Sequence, residues 1–345
     1  MNVNFDLTSW RQAVLPVKFG GLGLRETSDI ALPAYLASIH AAAPLVQQII
    51  PTHLHHDVET RASRAAACWS AAYGLDLPVV YDRDTQSIWD SLTCAHLSRI
   101  LIANASQVDR ARLLAAAAKN SGAWLNAIPS SQFGTLLDRE SLRIGVALRI
   151  GARVCEPHVC RCGHMTETDG LHPLSCRYSA GRGPRHAALN DIVKRALTGC
   201  GIPSSLEPTG INRGDGKRPD GITLFPWSQG KCLVWDVTVV DTFAESHLTA
   251  SALQPGSAAK EAEERKRRKY VSIGDHHVFE PLAFETAGTY GEATTRTMKV
   301  ICSRLSNETA DPREAVWLRQ RISIAILRGN AASIRASTPL SRPDS

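Results

Sequence analysis

The chain has 345 residues, 43% of them hydrophobic and 21% charged, with a net charge of +6 and a pI near 8.9. That length exceeds one ordinary domain of roughly 100 to 200 residues, so two or three units are expected, and the composition excludes wholesale disorder. The modest positive charge favours an anionic partner; no run of about 20 apolar residues and no signal-peptide layout is read, so no membrane partner and an intracellular site are expected.

To about residue 150 the sequence is Ala- and Leu-rich, with helical periodicity over Ala31 to Ile50, Asp57 to Ala72 and Arg110 to Asn120, which predicts a helical region over 1–150. Phe19 to Leu24 is Gly-rich, but no Gly-Lys-Ser/Thr follows, so the segment is read as a turn and not as a phosphate loop. From Gly151 the texture shifts to Cys, His and Gly, and a small zinc module is expected over 151–182. A helix opens at Gly183-Pro184, Pro184 being suited to a first helical turn, and runs through Ile192, Val193 and Leu197. Strands follow at Ser205 to Glu207, Gly221 to Phe225, Cys232 to Val240 and His277 to Glu285. A charged helix, Ala258 to Val271, separates the last two, and a final helix covers Ala315 to Arg328. The expected fold is α+β: a helical N-terminal region, a zinc knuckle, an α/β domain with a mixed central sheet over 183–335, and a loose tail over 336–345.

Five of the nine cysteines, Cys68, Cys94, Cys200, Cys232 and Cys302, fall in helical or strand segments and are read as reduced, buried small hydrophobes. The other four, Cys155, Cys160, Cys162 and Cys176, lie in one short window. Cys160, Cys162, His172 and Cys176 are assigned to zinc, with Cys155, His158 and His164 as rival ligands. Zinc bound structurally takes four N/S donors in a closed tetrahedron, and Gly163 and Gly170 permit the turns that wrap them. Four ligands leave no open position for water, so a catalytic zinc is disfavoured.

Two aspartates carry the chemistry further along. Asp220 follows a proline at the start of a strand, and Asp236 sits in the middle of Leu233 to Val240, a strand apolar on both faces. A carboxylate there is costly to bury unless it is paired or bound to a cation. A turn around Pro226 to Gly230 would bring the two acids together, and Mg²⁺ matches their hard oxygen donors. On the charged helix Ala258, Ala262, Lys266 and Tyr270 are spaced by four, so Lys266 is the base on the face that packs against the sheet, and its basic neighbours form a solvated face available to phosphates. With Glu207 upstream, this is the set that metal-assisted phosphodiester cleavage needs.

At these residues the chain resembles a known family. Arg218-Pro-Asp220, Trp235-Asp236-Val-Thr238, Lys266-Arg-Arg-Lys269-Tyr270 and Phe279 to Thr286 are similar to the restriction-like endonuclease of non-LTR retrotransposons, a member of the PD-(D/E)xK nuclease fold. The Cys160, Cys162, His172, Cys176 set resembles the CCHC knuckle that precedes that nuclease, and Trp10 to Arg25 resembles the segment after a reverse transcriptase palm. The resemblance implies a restriction-endonuclease-like fold and nicking of target DNA in the nucleus, giving a 3′-OH that primes reverse transcription. It implies Mg²⁺ on Asp220 and Asp236, Glu207 as a third acid, and Lys266 or Lys269 as the catalytic lysine, Lys266 being preferred. Arg161, Arg177, Arg182, Arg185, Lys217, Arg218 and Lys269 would contact DNA or template RNA. The chain departs from the wider fold in placing Thr238 where a lysine usually stands two residues past the second acid, and it carries no polymerase signature, so no polymerase activity is expected. Two rivals stay open: an inactive nucleic-acid-binding remnant, and a helical scaffold in which Asp220 and Asp236 lie apart.

Overall fold

Helix starts in the first region are set by side-chain caps. In the computed structural model, which describes residues 3–211, 218–274 and 276–338, Asp6 accepts from the Ser9 amide to open α1, Leu7–Ala13. Then come α2, Thr27–Ile49, α3, His55–Tyr73, and α4, Gln86–Ala103. These three share a small core in which Trp69 and Trp89 meet edge to face at 4.9 Å, with Leu36 beside them. Ser106 caps α5, Gln107–Ala117, and Asp138 caps α6, Arg139–Ile150, which ends on Gly151 at φ +70°. The helix expected over Arg110 to Asn120 therefore starts at its Ser cap and stops earlier, Asn120 being left-handed at φ 76°. α4 and α6 are additional to the periodic runs expected.

The expectation that no run of about 20 apolar residues is present is corrected by α2, which is long and apolar enough, by length and composition alone, to cross a membrane. Its Ala-rich, Pro-interrupted sequence hid this, since Pro33 and Pro44 both lie within the helix. It packs against α3 and α4 through Leu36 and Ala37.

The Gly-rich Phe19 to Leu24 segment is a turn with structural partners. A Cβ on Gly21 would lie 1.9 Å from the Leu15 carbonyl oxygen, so only glycine fits. Arg149 of α6, buried at 7% exposure, reaches into this turn and donates to the carbonyls of Gly21 and Val17.

The Cys/His segment folds as a short antiparallel pair, β1, His158–Val159, and β2, Met165–Thr166, followed by α7, His172–Ser175. α8, Arg182–Gly199, comes next. Four strands make the sheet: β3, Ser204–Leu206, β4, Gly221–Ser228, β5, Lys231–Val240, and β6, Val278–Glu285, in the order β3-β4-β5-β6. The first two pairings are antiparallel and β5 with β6 is parallel, so the sheet is mixed as expected. The β4–β5 turn is tighter than the sequence indicated. Ser228 pairs with Lys231 around Gln229 and Gly230, both left-handed, a two-residue hairpin. Pro226 lies inside β4 at a register shift, where its missing N–H breaks the ladder.

Between β5 and β6 the chain crosses through α9, Glu245–Ser251, and α10, Ser257–Lys269. α11, Glu292–Thr309, and α12, Glu314–Arg335, complete the fold. α8, α11 and α12 cover the sheet face bearing Leu233, Trp235, Val237, Leu282 and Phe284. α10 covers the other through Ala259, Ala262 and Tyr270. β5 is thus buried on both sides, which is why its sequence lacks alternation.

α12 runs on to Arg335, well past the expected end at Arg328. The reason is packing: Leu318, Ile322 and Ile326 belong to the sheet core, while Ile324, Leu327, Ala331 and Ile334 join a second core with Ala13, Ile144, Val154 and Leu174. One helix therefore holds the N-terminal region, the Cys/His segment and the sheet against one another.

Candidate functional site

The donor atoms of Cys160, Cys162, His172 and Cys176 all lie within 4.8 Å of one another, a group that could hold a metal ion. Cys160 Sγ is 3.8 Å from Cys176 Sγ, and Cys162 Sγ is 3.1 Å from His172 Nε2. The β1–β2 turn delivers the first two ligands, Gly163 turning at φ +88°, and α7 delivers the others four residues apart. Burial, aided by the nearby charge of His164, holds His172 below the usual imidazole range, which favours the neutral ring that ligates. The rival ligands point elsewhere: His158 bonds the Glu156 carbonyl and Ser337 Oγ, and Cys155 Sγ donates to the Glu167 carbonyl. His164 stacks on His172 at 4.4 Å from outside the group.

The second constellation sits where β4 enters the sheet. Gly221 pairs with Trp235, so the residue before it, Asp220, arrives beside Asp236 on the neighbouring strand. Its amide donates to the Trp235 carbonyl, and its Oδ2 accepts from the amide of Val237, 2.7 Å away, so the Asp220 side chain continues the ladder after the backbone has turned off. Asp236 points to the opposite face from Trp235, and there Lys266 of α10 donates to its Oδ1 at 2.5 Å. Ala258, Ala262 and Tyr270 are buried as the four-residue spacing requires, which turns Lys266 toward the sheet. The Asp236 side chain keeps 6% exposure, Lys266 26% and Asp220 19%, so the site is partly open on the Asp220 and Lys266 side and not a sealed core.

Sequence reasoning missed a third partner. His186 Nε2 of α8 is 2.9 Å from Asp220 Oδ2, and Asn190, one helical turn on, accepts from the Trp235 indole at 3.0 Å. Burial pulls the Asp220 carboxyl upward, but the hydrogen bond and charge of His186 and the Val237 amide outweigh it and leave Asp220 below the usual carboxylate range. The same hydrogen bond raises His186 above its ordinary value against the pull of its own burial. The available signal was a polar pair at i, i+4 on the buried stripe of a helix that otherwise carries Leu189 and Val193.

The other expected residues divide. Glu207 is left-handed at φ 48°, and its carboxylate, 73% exposed, pairs with Arg218. Only its backbone touches the aspartate pair, the amide donating to the Asp220 carbonyl at 2.8 Å. Arg161, Arg177, Arg182 and Lys269 are exposed, Arg177 lying 4.8 Å over the Tyr178 ring. Arg185 is withdrawn from solvent at 3% exposure, donating to Asn330 Oδ1, and burial brings its guanidinium down to about 10. It braces α8 against α12 and presents nothing to a phosphate. Lys217 lies outside the described residues. Among the described residues the Cys/His set is the one group of three or more metal-ligating side chains.

Compared with known proteins, the chain matches no family model and no curated protein.

Proposed function

We propose that the chain is a metal-dependent DNA endonuclease of the restriction-like kind, of retrotransposon origin, with a structural zinc in the knuckle. The observation that supports it most is that Asp220, the residue before β4, arrives opposite Asp236 of β5, to which Lys266 of α10 donates. Asp236 is paired with Lys266 and Asp220 with His186, and a divalent cation between the two carboxylates would offset their like charge.

The donors fit such a cation in kind: two carboxylates, hard oxygen ligands, on neighbouring strands. Asp220 and Asp236 would hold Mg²⁺, which when bound supplies Lewis-acid polarisation of a phosphate. Lys266 places a positive charge at Asp236 without flexible approach from solvent, where it would stabilise charge that builds on the scissile phosphate. It is preferred to Lys269, which is exposed on the last turn of α10. Arg218, Lys269, Arg161, Arg177 and Arg182 would hold the DNA or template RNA backbone, setting position and not sequence. Arg182 and His186 share one face of α8, so the knuckle's basic flank lies a helical turn from the aspartates. Cys160, Cys162, His172 and Cys176 supply the soft donor set of a closed structural zinc. On this reading the product is a nicked strand with a 3′-OH that primes reverse transcription in the nucleus.

The test is nicking of supercoiled plasmid by zinc-loaded protein with Mg²⁺ added or omitted, beside Asp220→Ala and Asp236→Ala. Metal-dependent nicking lost in both variants supports the nuclease. Plasmid left intact by wild type yet bound in a salt-sensitive way would replace it with the inactive nucleic-acid-binding remnant.

A further inference from the structure

We infer that His186 is a positioning residue for the proposed metal-binding carboxylates, an assignment that rests on the nuclease reading. Asp220 lies just outside β4, so the regular ladder does not orient its side chain. Hydrogen-bond donors do so instead: the Val237 amide at 2.7 Å and His186 Nε2 at 2.9 Å, both on Oδ2, with the Asn190 side chain also acting on the carboxylate. The first comes from the residue next to Asp236, and the second arrives from α8 on the far side. Between them they fix the rotation of the carboxylate in the plane of the sheet, next to the second acid.

His186 is itself held. It lies on the first turns of α8, Asn190 Nδ2 comes within 3.5 Å of Nδ1, the ring nitrogen that Asp220 does not engage, and Asn190, 5% exposed, is anchored by the fully buried Trp235 indole. The row Trp235, Asn190, His186, Asp220 therefore runs from the sheet core to the site, and each member is fixed by the one behind it. Trp235 and Asp236 are adjacent on β5 and face opposite ways, so one strand supplies both the second acid and the anchor that orients the first. Partners that orient ligating groups in this way commonly change metal affinity by roughly 10- to 100-fold when removed.

The experiment measures Mn²⁺ affinity of the zinc-loaded full chain by calorimetry, together with plasmid nicking, for wild type, His186→Ala, His186→Gln and Asp220→Ala. Glutamine keeps an N–H donor at a similar reach. The expected result is Mn²⁺ binding weakened roughly 10-fold or more in His186→Ala, largely restored in His186→Gln, and lost in Asp220→Ala, with nicking following the same order. The His186 side chain is 43% exposed and outside the apolar core, and the thermal midpoint of each variant checks that the fold is kept. Wild-type affinity and nicking in His186→Ala overturn the positioning role while the nuclease reading stands. Equal loss in His186→Ala and His186→Gln also overturns it, because bulk rather than the donor would then matter. Wild type that neither binds Mn²⁺ in a way Asp220→Ala abolishes nor nicks DNA overturns both.

Discussion

Lys266 Nζ lies 2.5 Å from Asp236 Oδ1, a contact between residues 30 positions apart that ties the middle of β5 to α10. Removing the cation strands a carboxylate of 6% exposure, and Lys266→Met is expected to destabilise the chain by about 2 to 4 kcal/mol, toward the lower part of the range for broken buried pairs since Lys266 is itself 26% exposed. Asp236→Asn combined with Lys266→Met should cost less than the sum of the two. Urea unfolding of the four proteins gives the coupling; additive losses would show that the pair contributes nothing beyond packing.

The knuckle is fastened to α12 and to the turn after it, with Ser179 Oγ donating to Ser333 and His158 bonding Ser337. Leu174 of α7 enters the core shared with Ile324 and Ile334. Metal loss should therefore be felt outside the knuckle. Purified protein is expected to carry one zinc per chain, and Cys176→Ser should lower both zinc content and the thermal midpoint of the whole chain. An unchanged midpoint in metal-free protein would mean that the cluster is dispensable for the fold.

Much of this was legible because it is local. The Cys/His ligands lie within one short window, so their spacing alone selected the set that the structure brings together. The facing of Lys266 toward the sheet was legible because helical spacing with Ala258, Ala262 and Tyr270 determines a face without knowledge of its partner. His186 was not legible: what singles it out is its distance to Asp220, across 34 residues and a change from helix to strand. Arg185 was misread for the converse reason, as a basic residue beside a knuckle is ordinarily solvated, and only the approach of Gly329, whose missing Cβ leaves room for the Arg185 stem, reveals that it is enclosed. α11 was not read although Met298, Ile301 and Leu305 stand at helical spacing on its buried face, since Thr294, Thr297 and Cys302 beside them dilute the apolar pattern.

Arg149 is a buried cation with carbonyl partners instead of a carboxylate. It donates to Gly21, Val17 and Ala116 at 3.0 to 3.1 Å, and burial brings it down to about 10, so it remains charged at neutral pH. Arg149→Met would leave three carbonyls without that donor, and a loss of about 3 kcal/mol is expected. Arg149→Lys should recover only part, since an ammonium lacks the planar fork that spans all three. Full recovery with lysine, read by denaturant unfolding, would count against the fork geometry.

Gly221 stands between Asp220 and the sheet, and a Cβ there would lie 2.0 Å from the Trp235 ring. The indole cannot yield without moving its N–H from Asn190, and Asn190 backs His186. Gly221→Ala is therefore expected to cost about 1 to 3 kcal/mol as overpacking and to impair nicking and Mn²⁺ binding beyond what the lost stability explains. Gly183 provides the opposite case: it lies in the first turn of α8, a Cβ there meets nothing within 4 Å, and its φ is not left-handed. Gly183→Ala should leave Mn²⁺ binding and nicking intact without a gain in stability, because the helical conformation is disfavoured for a Cβ-bearing residue directly before Pro184. If Gly221→Ala lost only stability, and retained Mn²⁺ affinity at temperatures where it is folded, the row from Trp235 to Asp220 would be packing without consequence for the carboxylates.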